Sequence, residues 1–360
     1  MSQIKLSFEK QILKTKMPFG ISYGTKSDAK NILVKLTYEN ITGYGEAAPA
    51  PYHGETIDTV LALLQAWSES DILGDDPFAI TEINQKLDKF ISENYAAKCA
   101  IDVALHDLSG KLANLSISKM LGLSGLQTQM PQTDFTIGLD TIEIIKQKTS
   151  DALKEGFQIL KVKQGTANGI EYDKQIIKAI REVAPNNTLR VDANGGWTPK
   201  QAVAMSHFLA EQKVQYIEQP IHKHSSAQDF KYVKDHSALA IFADESVMRA
   251  KDIIRLADCV DGVVMKLANT GGIQAGLKFI QMARAYDLEV MIGCMLESSC
   301  GITAAAHLAP LADYLDLDGA LLLANDPFNG ATCKSGLLEI KDAPGLGISP
   351  TSLSGLESKL

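Results

Sequence analysis

From about residue 130 to residue 318, the hydrophobic positions of the chain follow one repeating pattern. A short run rich in apolar and β-branched residues ends in polar or charged residues, and a helix-like stretch of about 15 residues follows. Eight such runs occur, at Asp134–Gly138, Ile159–Lys163, Leu189–Asp192, Tyr216–Glu218, Ile241–Asp244, Val263–Lys266, Val290–Gly293 and Tyr314–Asp318.

The spacing of these runs indicates the architecture. The carboxyl ends of the first six follow one another at intervals of 22 to 29 residues, which is the length of one strand, one helix and two loops. Eight successive runs predict an α/β fold with a closed (β/α)8-type, TIM-like barrel. Because no further βα unit follows, the barrel is expected to be of the (β/α)7β form. An open doubly wound sheet is the alternative, but eight evenly spaced strands would make it unusually wide.

Residues 1–125 do not follow this repeat. Alternating strand patterns at 4–8 and 31–36 come first, a Gly-rich segment at 43–49 comes next, and amphipathic helices complete the segment. This order is typical of an α+β unit. We therefore predict an α+β capping domain over 1–125, a barrel over 126–320 and a C-terminal segment over 321–360 that returns to the cap.

Composition and charge exclude several classes of function. The 360 residues carry a net charge of −8 with a pI near 5.4. Without a basic surplus to neutralise phosphates, binding to nucleic acid or to an acidic membrane is not expected. No apolar run has the roughly 18 residues of a membrane span. Five scattered cysteines are typical of reduced thiols inside the cell. We expect a cytoplasmic protein that forms a homo-oligomer.

Three consecutive predicted strands end in a carboxylate, namely Asp192, Glu218 and Asp244. Barrel active sites form at the carboxyl ends of the strands, so these side chains are expected to converge. Each alone could be an ordinary exposed residue, but together they would repel one another unless a divalent cation lay between them. All-oxygen ligands with room for water and substrate favour Mg²⁺ over zinc. We predict one Mg²⁺ per subunit.

Lysines end two further strands. Lys161 and Lys163 share one face of the second strand, and Lys266 ends the sixth, four strands away in a ring of eight. Lys163 and Lys266 are therefore predicted to face each other across the metal. A lysine whose pKa is lowered by burial beside a cation can remove a proton next to a carboxylate, while the opposing ammonium returns one to the other face. Mg²⁺ would stabilise the resulting enediolate, and the outcome is inversion by two-base 1,1-proton transfer.

These residues lie in motifs that resemble the enolase superfamily and, within it, the muconate-lactonizing subgroup. The similarity extends over essentially the whole chain. Its motifs are Lys161-x-Lys163, Asp192-Ala193-Asn194-Gly195, Glu218-Gln219-Pro220, Ala243-Asp244-Glu245-Ser246 and Lys266-x-x-x-Thr270-Gly271-Gly272. The resemblance implies that Lys163 and Lys266 are the acid and base groups and that Lys161 helps to stabilise the enolate. The mandelate-racemase branch uses a histidine on strand seven, and the corresponding segment here, 291–297, contains none.

Two residues of the eighth strand narrow the range of possible substrates. Asp316 and Asp318 share one face of this strand, and a pair of carboxylates at the pocket mouth would bind a cation such as a free α-ammonium. The pair looks like the Asp-x-Asp with which dipeptide epimerases hold the substrate N-terminus. Helix capping before Gly319 is the alternative for these aspartates. The leading prediction is a Mg²⁺-dependent dipeptide epimerase that inverts the α-carbon of the second residue.

Two other functions stay open at this point. o-Succinylbenzoate synthases and N-acylamino-acid racemases of the same subgroup share the lysines and the metal ligands. What separates them from the epimerases is whether Asp316 and Asp318 bind a substrate ammonium. A catalytically idle barrel that binds carboxylates as a sensor or an assembly subunit is the alternative from another class, although such a protein would usually have lost a lysine or a metal ligand.

The side chain of the second residue is expected to meet the cap loops. Relatives that act on Ala-Glu dipeptides have an arginine in the first cap loop. The corresponding segment here, 19–24, has none, and Lys26 lies slightly later. We therefore predict a small or hydrophobic second residue packed by Phe19, Ile21 and Tyr23. The remaining predicted substrate contacts are Thr136, Met295 and Glu297.

Overall fold

The computed structural model describes residues 3–22 and 24–351 of the chain. Its N-terminal part is a three-stranded antiparallel sheet packed on helices. The strands are β1 (Lys5–Ile21), β2 (Gly24–Tyr38) and β3 (Ile41–Ala47), in that spatial order. The helices are α1 (Ile57–Ser68), α2 (Ile80–Phe90), α3 (Tyr95–Ala113) and α4 (Ile117–Met120). The predicted α+β cap is therefore present.

Two glycines of β3 allow the sheet to approach α3 closely. A Cβ on Gly45 would lie 2.0 Å from the carbonyl oxygen of Ala100, and one on Gly43 would lie 2.2 Å from that of Ala104. No side chain fits in these gaps, so strand and helix meet through their backbones. Apolar residues of β2 and α3, together with Trp67 of α1, form a core of the cap that is separate from that of the barrel.

Eight parallel strands form a second sheet in sequential order. They are β4 (Phe135–Ile137), β5 (Ile159–Lys163), β6 (Thr188–Asp192), β7 (Val214–Glu218), β8 (Ala240–Ala243), β9 (Gly262–Met265), β10 (Glu289–Gly293) and β11 (Tyr314–Asp316). Each overlaps one of the eight runs predicted from the sequence, and no bound differs by more than two residues.

One helix or a pair of helices follows each of the first seven barrel strands. These are α5 (Ile142–Lys154), α6 (Ile170–Val183), α7 (Pro199–Glu211), α8 (Ala227–His236), α9 (Ala250–Leu256), α10 (Leu267–Thr270), α11 (Ile273–Ala285) and α12 (Ser299–Ala306). After β11 comes a 3-10 helix at Gly319–Leu322, which gives the predicted (β/α)7β order. Within 3–22 and 24–351, no helix has the length and apolarity needed to cross a membrane.

The first and last barrel strands close the ring. The Asp134 N–H donates to the Leu315 carbonyl oxygen at 3.2 Å, beside a parallel bridge between Thr133 and Leu315. The Thr133 hydroxyl also accepts the Leu317 N–H at 2.7 Å. We call this junction of β4 and β11, formed by residues 133–136 and 314–318, the seam. Because the seam is bonded, the sheet is a closed barrel and not an open doubly wound sheet.

Side-chain alternation gives the barrel interior an apolar floor. Tyr216, Phe242, Val264 and Met291 come from four successive strands and pack on one another in the interior. Two positions further along, three of these four strands carry an acidic or basic residue. Period-two alternation therefore concentrates the charged groups at the carboxyl end of the barrel, where active sites of this architecture form.

The C-terminal segment contacts both the barrel and the cap. It contains the short strands β12 (Phe328–Asn329), β13 (Thr332–Lys334), β14 (Leu337–Glu339) and β15 (Ser349–Pro350). The turn between β13 and β14 meets the seam, because the Gly336 carbonyl oxygen accepts the Thr133 N–H at 2.8 Å. Further on, the Leu346 N–H donates to Asp107 of α3 at 2.8 Å. Leu346 thus contacts the cap, while the division of the chain into a cap, a barrel and a returning C-terminal segment stays a prediction.

Candidate active site

Asp192, Glu218 and Asp244 come together at the carboxyl end of the barrel. One oxygen atom of each lies within 4.8 Å of those of the other two, and all three residues are buried. Burial and the neighbouring Asp192 raise the pKa of Glu218 well above its ordinary value. Glu218 Oε1 has no hydrogen-bond partner within 3–22 and 24–351. An all-oxygen cluster with an unpaired buried oxygen fits a hard divalent cation such as Mg²⁺.

Two lysines flank these carboxylates from opposite sides of the barrel. Lys163 ends β5, and its ammonium lies 2.5 Å from Asp192 Oδ2. Lys266 directly follows β9, and its ammonium donates to Asp244 Oδ2. β5 and β9 are four strands apart in the ring of eight, and both lysines line the same cavity. This is the opposed arrangement expected from counting strands.

Lys161 lies two residues before Lys163 on β5, further from the carboxyl end of the strand, and its side chain is only 1% exposed. Its Nζ is 2.6 Å from Glu218 Oε2, 2.7 Å from Asp316 Oδ2 and 3.5 Å from Asp192 Oδ2. The ammonium is therefore held by two of the candidate metal ligands and by the eighth strand at the same time. Its position is fixed from three directions.

Neighbouring carboxylates raise the pKa values of two buried lysines, Lys161 and Lys266. Burial lowers the pKa of Lys266, but Asp244 and Glu218 raise it by more, so that it lies well above its ordinary value. The pKa of Lys161 is raised in the same way, because its carboxylate neighbours outweigh burial. A divalent cation on the carboxylates would offset their negative charge. Burial would then dominate, and the pKa of Lys266 would fall.

Two residues beside the carboxylates, neither of them predicted to belong to the site, hold the carboxylates in place. Asn194 has a φ of 42°, and its N–H donates to Asp192 Oδ1 at 2.8 Å. Gln219 has a φ of 38°, and its Oε1 accepts the Asp244 N–H at 2.9 Å. Such bonds from neighbouring residues orient metal ligands. The signal that could have identified both residues is their place directly after a ligand in the quoted motifs.

A cavity of about 470 Å³ opens between the carboxyl end of the barrel and the cap. The predicted site residues that line it are Lys163, Lys266, Asp316, Asp318, Thr136, Met295, Phe19 and Ile21. Lys26, Asp28 and Cys294 also line it and were not predicted. The wall of this cavity therefore contains lysines and carboxylates of the barrel together with apolar residues of the cap.

One predicted contact, Glu297, does not reach the cavity. Glu297 is buried away from the cavity wall, and its carboxylate accepts the Met295 N–H at 2.9 Å. Burial raises the pKa of Glu297 to about 7. Its side chain therefore holds the loop after β10 and does not face the cavity. Tyr23 lies outside the described residues.

Asp316 and Asp318 lie at the cavity wall beside Thr136. Asp318 Oδ2 accepts the Thr136 N–H at 2.7 Å, and Asp316 Oδ1 accepts the Thr136 hydroxyl at 3.3 Å. The side chain of Asp318 makes no capping bond to the 3-10 helix that follows it, so helix capping does not explain this residue. Burial and the neighbouring Asp316 raise the pKa of Asp318 to about 7. Two adjacent carboxyl groups at a cavity wall can hold one further cation.

Comparison with protein families agrees with this geometry. Residues 4–122 match the family described as mandelate racemase / muconate lactonizing enzyme, N-terminal domain, and residues 145–353 match the family described as enolase C-terminal domain-like. The chain belongs to the enolase superfamily. The resemblance seen in the motifs is therefore confirmed.

Individual members of the superfamily resemble the chain over almost its whole length. The L-Ala-D/L-Glu epimerase of Bacteroides thetaiotaomicron is 38% identical over 347 residues, which are 96% of this chain and 88% of that protein. The hydrophobic dipeptide epimerase of Enterococcus faecalis is 39% identical over 348 residues, 94% of this chain and 96% of that protein. The crystal structure of the dipeptide epimerase from Enterococcus faecalis V583 with Mg and L-Leu-L-Tyr has a TM-score of 0.90 at 37% identity, covering 96% of this chain and 99% of that one.

Proposed function

We propose that the chain is a Mg²⁺-dependent dipeptide epimerase that inverts the α-carbon of the second residue of a dipeptide. The observation that carries this proposal is the placement of Lys163 and Lys266, which reach one cavity from opposite sides with a cluster of three carboxylates between them. The similar proteins described above support it, because each is named as an epimerase of dipeptides or of L-Ala-D/L-Glu.

Each lysine has a defined part in this proposal. One neutral lysine takes the α-proton from its face of the substrate, and the opposing ammonium delivers a proton to the other face, so that the stereocentre inverts. Because the reverse reaction exchanges these parts, Lys163 and Lys266 are the bases for opposite epimers. The buried ammonium of Lys161 is placed to stabilise the negative charge that develops on the substrate carboxylate. Mg²⁺ held by Asp192, Glu218 and Asp244 would supply Lewis-acid stabilisation of the same charge.

Asp316 and Asp318 are proposed to hold the free α-ammonium of the first residue. Burial raises the pKa of Asp316, but Lys161 and Lys163 lower it to about 2, so this carboxylate is ionised at neutral pH. An ammonium beside Asp318 would favour its ionised form as well. o-Succinylbenzoate and its precursor have no ammonium, and N-acylamino acids have an amide in its place. The aspartate pair therefore favours the epimerase over both alternatives.

The side chain of the second residue is proposed to be small or hydrophobic. Phe19 and Ile21 of β1 line the cavity and offer apolar surface to it. Lys26 of β2 also lines the cavity, and this observation favours a second candidate in which an acidic side chain pairs with its ammonium. The names of the similar proteins include both an Ala-Glu and a hydrophobic preference.

A panel of L-Ala-L-X dipeptides with Mg²⁺, followed by chiral chromatography, tests the proposal. X = Leu or Val is expected to be inverted faster than X = Glu.

Lys26→Met should leave these rates within about twofold of wild type, because surface charges away from the reacting atoms contribute little. Lys30→Met, at the same cavity wall, is the matched control. The second candidate would be supported if L-Ala-L-Glu were inverted fastest and if this preference were lost in Lys26→Met but kept in Lys30→Met. Inversion of N-acetylamino acids and of no dipeptide would overturn the epimerase.

The proposed assembly is a cytoplasmic homo-oligomer that binds no nucleic acid. The net charge of −8 supports the last point, because phosphate binding needs a basic surface. Light scattering coupled to size-exclusion chromatography gives the mass in solution. A multiple of the chain mass of 39.0 kDa is expected, and a single-chain mass would contradict the oligomer.

A further inference from the structure

Arg190 is a buried cation in the floor of the barrel. It lies on β6 two residues before Asp192, so that its side chain points into the same interior. The residue is 3% exposed, and its guanidinium lies 5.6 Å from the ring centroid of Tyr216 and 5.0 Å from that of Tyr314. A buried charge is costly unless its donors are bonded. The bonds of Arg190 therefore indicate what it does.

Arg190 joins the two strands that meet at the seam. Its Nη1 donates to Asp134 Oδ2 at 2.9 Å and to the Leu315 carbonyl oxygen at 3.0 Å. Its Nε donates to Gln215 Oε1 at 3.0 Å. Asp134 directly precedes β4, and Leu315 lies in β11. The backbone pairing at this junction is a single bridge and its neighbouring bond, whereas every other pair of adjacent barrel strands forms a ladder of at least two residue pairs. Arg190 reinforces the junction with the thinnest backbone pairing.

The seam also carries the carboxylates proposed to hold the substrate ammonium. Asp316 directly follows Leu315, and its charge is close enough to Asp134 that burial and then Asp316 raise the pKa of Asp134 well above its ordinary value. On the facing strand, Thr136 donates to both Asp316 and Asp318. A shift of β4 relative to β11 would therefore change the position of both carboxylates at the cavity wall.

We propose that Arg190 is a positioning residue for recognition of the substrate ammonium: by clamping β4 to β11 it fixes the placement of Asp316 and Asp318. This inference rests on the proposed function. Arg190 lies below the cavity and acts through Asp134 and Leu315, so it has no contact with the reacting atoms. Its loss weakens binding of a charged amino group and leaves in place Lys163 and Lys266, the two lysines proposed to move the proton, because they lie in or directly after strands outside the seam.

Arg190→Met tests this with two ligands that differ only in the ammonium group. The first is the L-Ala-L-X dipeptide that the wild type inverts fastest, and the second is its N-propionyl counterpart, in which hydrogen replaces the ammonium. KM for the dipeptide is expected to rise about tenfold, because the charge-assisted hydrogen bonds to the ammonium lose their geometry. kcat should fall by a smaller factor, since Asp316 keeps its charge beside Lys161. Ki of the N-propionyl compound as a competitive inhibitor should stay within about twofold. An equal loss for both ligands would overturn the inference, because a merely structural role weakens both.

Two further variants keep the test decisive. Arg181→Met on α6 is the matched control, because Arg181 also donates to backbone carbonyl oxygens, including those of Ala184 and Gln212, but belongs to a surface helix. It should change neither constant. If Arg190→Met does not fold, the isosteric Asp134→Asn removes the charge that Arg190 pairs with, and the same two outcomes apply. Failure of the proposed function would show in the wild type, which would invert no dipeptide, whereas failure of this inference would show only in the variants.

Discussion

Lys161 Nζ and Asp316 Oδ2 lie 2.7 Å apart in the barrel interior. Lys161, which is proposed to stabilise the enolate, is therefore ion-paired with Asp316, which is proposed to hold the substrate ammonium. Thr136 donates to both aspartates, to Asp318 through its N–H and to Asp316 through its hydroxyl. The two aspartates line one cavity wall and share this partner, but Asp316 in addition pairs with Lys161, so they are expected to respond differently to substitution.

Asp316→Asn is expected to raise KM and to lower kcat, each by about tenfold or more. The substitution removes a proposed ammonium ligand and a buried partner of Lys161 at the same time. Asp318→Asn should raise KM by about tenfold with a smaller change in kcat, since Asp318 has Thr136 as its bonded partner. Steady-state kinetics with one L-Ala-L-X dipeptide compares them. Indistinguishable kcat values would show that the contact between Lys161 and Asp316 has no part in the chemistry.

Lys163→Ala and Lys266→Ala should each abolish inversion, with a loss of at least about a hundredfold. Each variant should still exchange the α-proton of one epimer with solvent, because the remaining lysine can remove and return a proton on its own face. Proton NMR in D₂O, run separately on the L,L and L,D dipeptides, is expected to show opposite selectivity for the two variants. Lys30→Ala, which changes a lysine at the cavity wall, is the control. Full inversion by either variant would refute the two-base reaction.

Mg²⁺ is expected to stabilise the fold through the carboxylate cluster. Bound at 100 times its Kd, it should add about 2.7 kcal/mol to the free energy of unfolding. Glu218→Gln removes the carboxylate that has an unpaired buried oxygen and should lose this gain. Glu211→Gln, on the exposed end of α7, should keep it. Denaturant unfolding with Mg²⁺ or with EDTA measures the difference. The same gain in Glu218→Gln as in wild type would place the metal elsewhere.

His307 connects the barrel, the cap and the C-terminal segment. Its Nδ1 bonds to the Ser118 hydroxyl at 2.6 Å, and its Nε2 lies 3.2 Å from the Leu346 carbonyl oxygen, to which it donates as the neutral ring. Burial lowers the pKa of His307 to about 4. Between about pH 6.5 and pH 4, the unfolded chain therefore takes up a proton that the folded chain does not bind. The free energy of unfolding should fall over this interval by up to about 3 kcal/mol as pH decreases.

His307→Gln should remove this part of the pH dependence while retaining a donor for the Leu346 carbonyl oxygen. The variant is expected to be less stable than wild type at pH 7 and to approach it in stability as pH falls to 4. His207→Gln, at an exposed position of α7, should follow the wild-type curve. Urea unfolding at intervals of half a pH unit gives the curves. Parallel curves for His307→Gln and wild type would contradict a neutral buried imidazole.

The barrel strands and the opposition of Lys163 and Lys266 could be predicted, because both depend on local patterns. Apolar runs at regular intervals indicate strands, and counting strands around a ring places residues that are far apart in sequence. The contact between Lys161 and Asp316 could not be predicted in this way, since it joins residues 155 positions apart. Which of several inward charges pair with one another depends on depth in the barrel and on side-chain reach.

Sequence patterns did not indicate which side chain of the loop after β10 forms a hydrogen bond within that loop. Glu297 is close to Met295 in sequence, and a place in the substrate pocket was expected for both. The Glu297 carboxylate instead bonds the Met295 N–H, and only Met295 reaches the cavity. This difference arises from a hydrogen bond that forms only in the folded chain.

The most direct test of the proposed reaction is incubation of the wild-type protein with an L-Ala-L-X dipeptide and Mg²⁺ in D₂O, followed by NMR and mass spectrometry. The prediction is appearance of the L,D epimer together with deuterium at the α-carbon of the second residue and none at the first. Absence of α-deuterium from every dipeptide in the panel, or inversion without incorporation of solvent deuterium, would contradict proton transfer by the two opposed lysines.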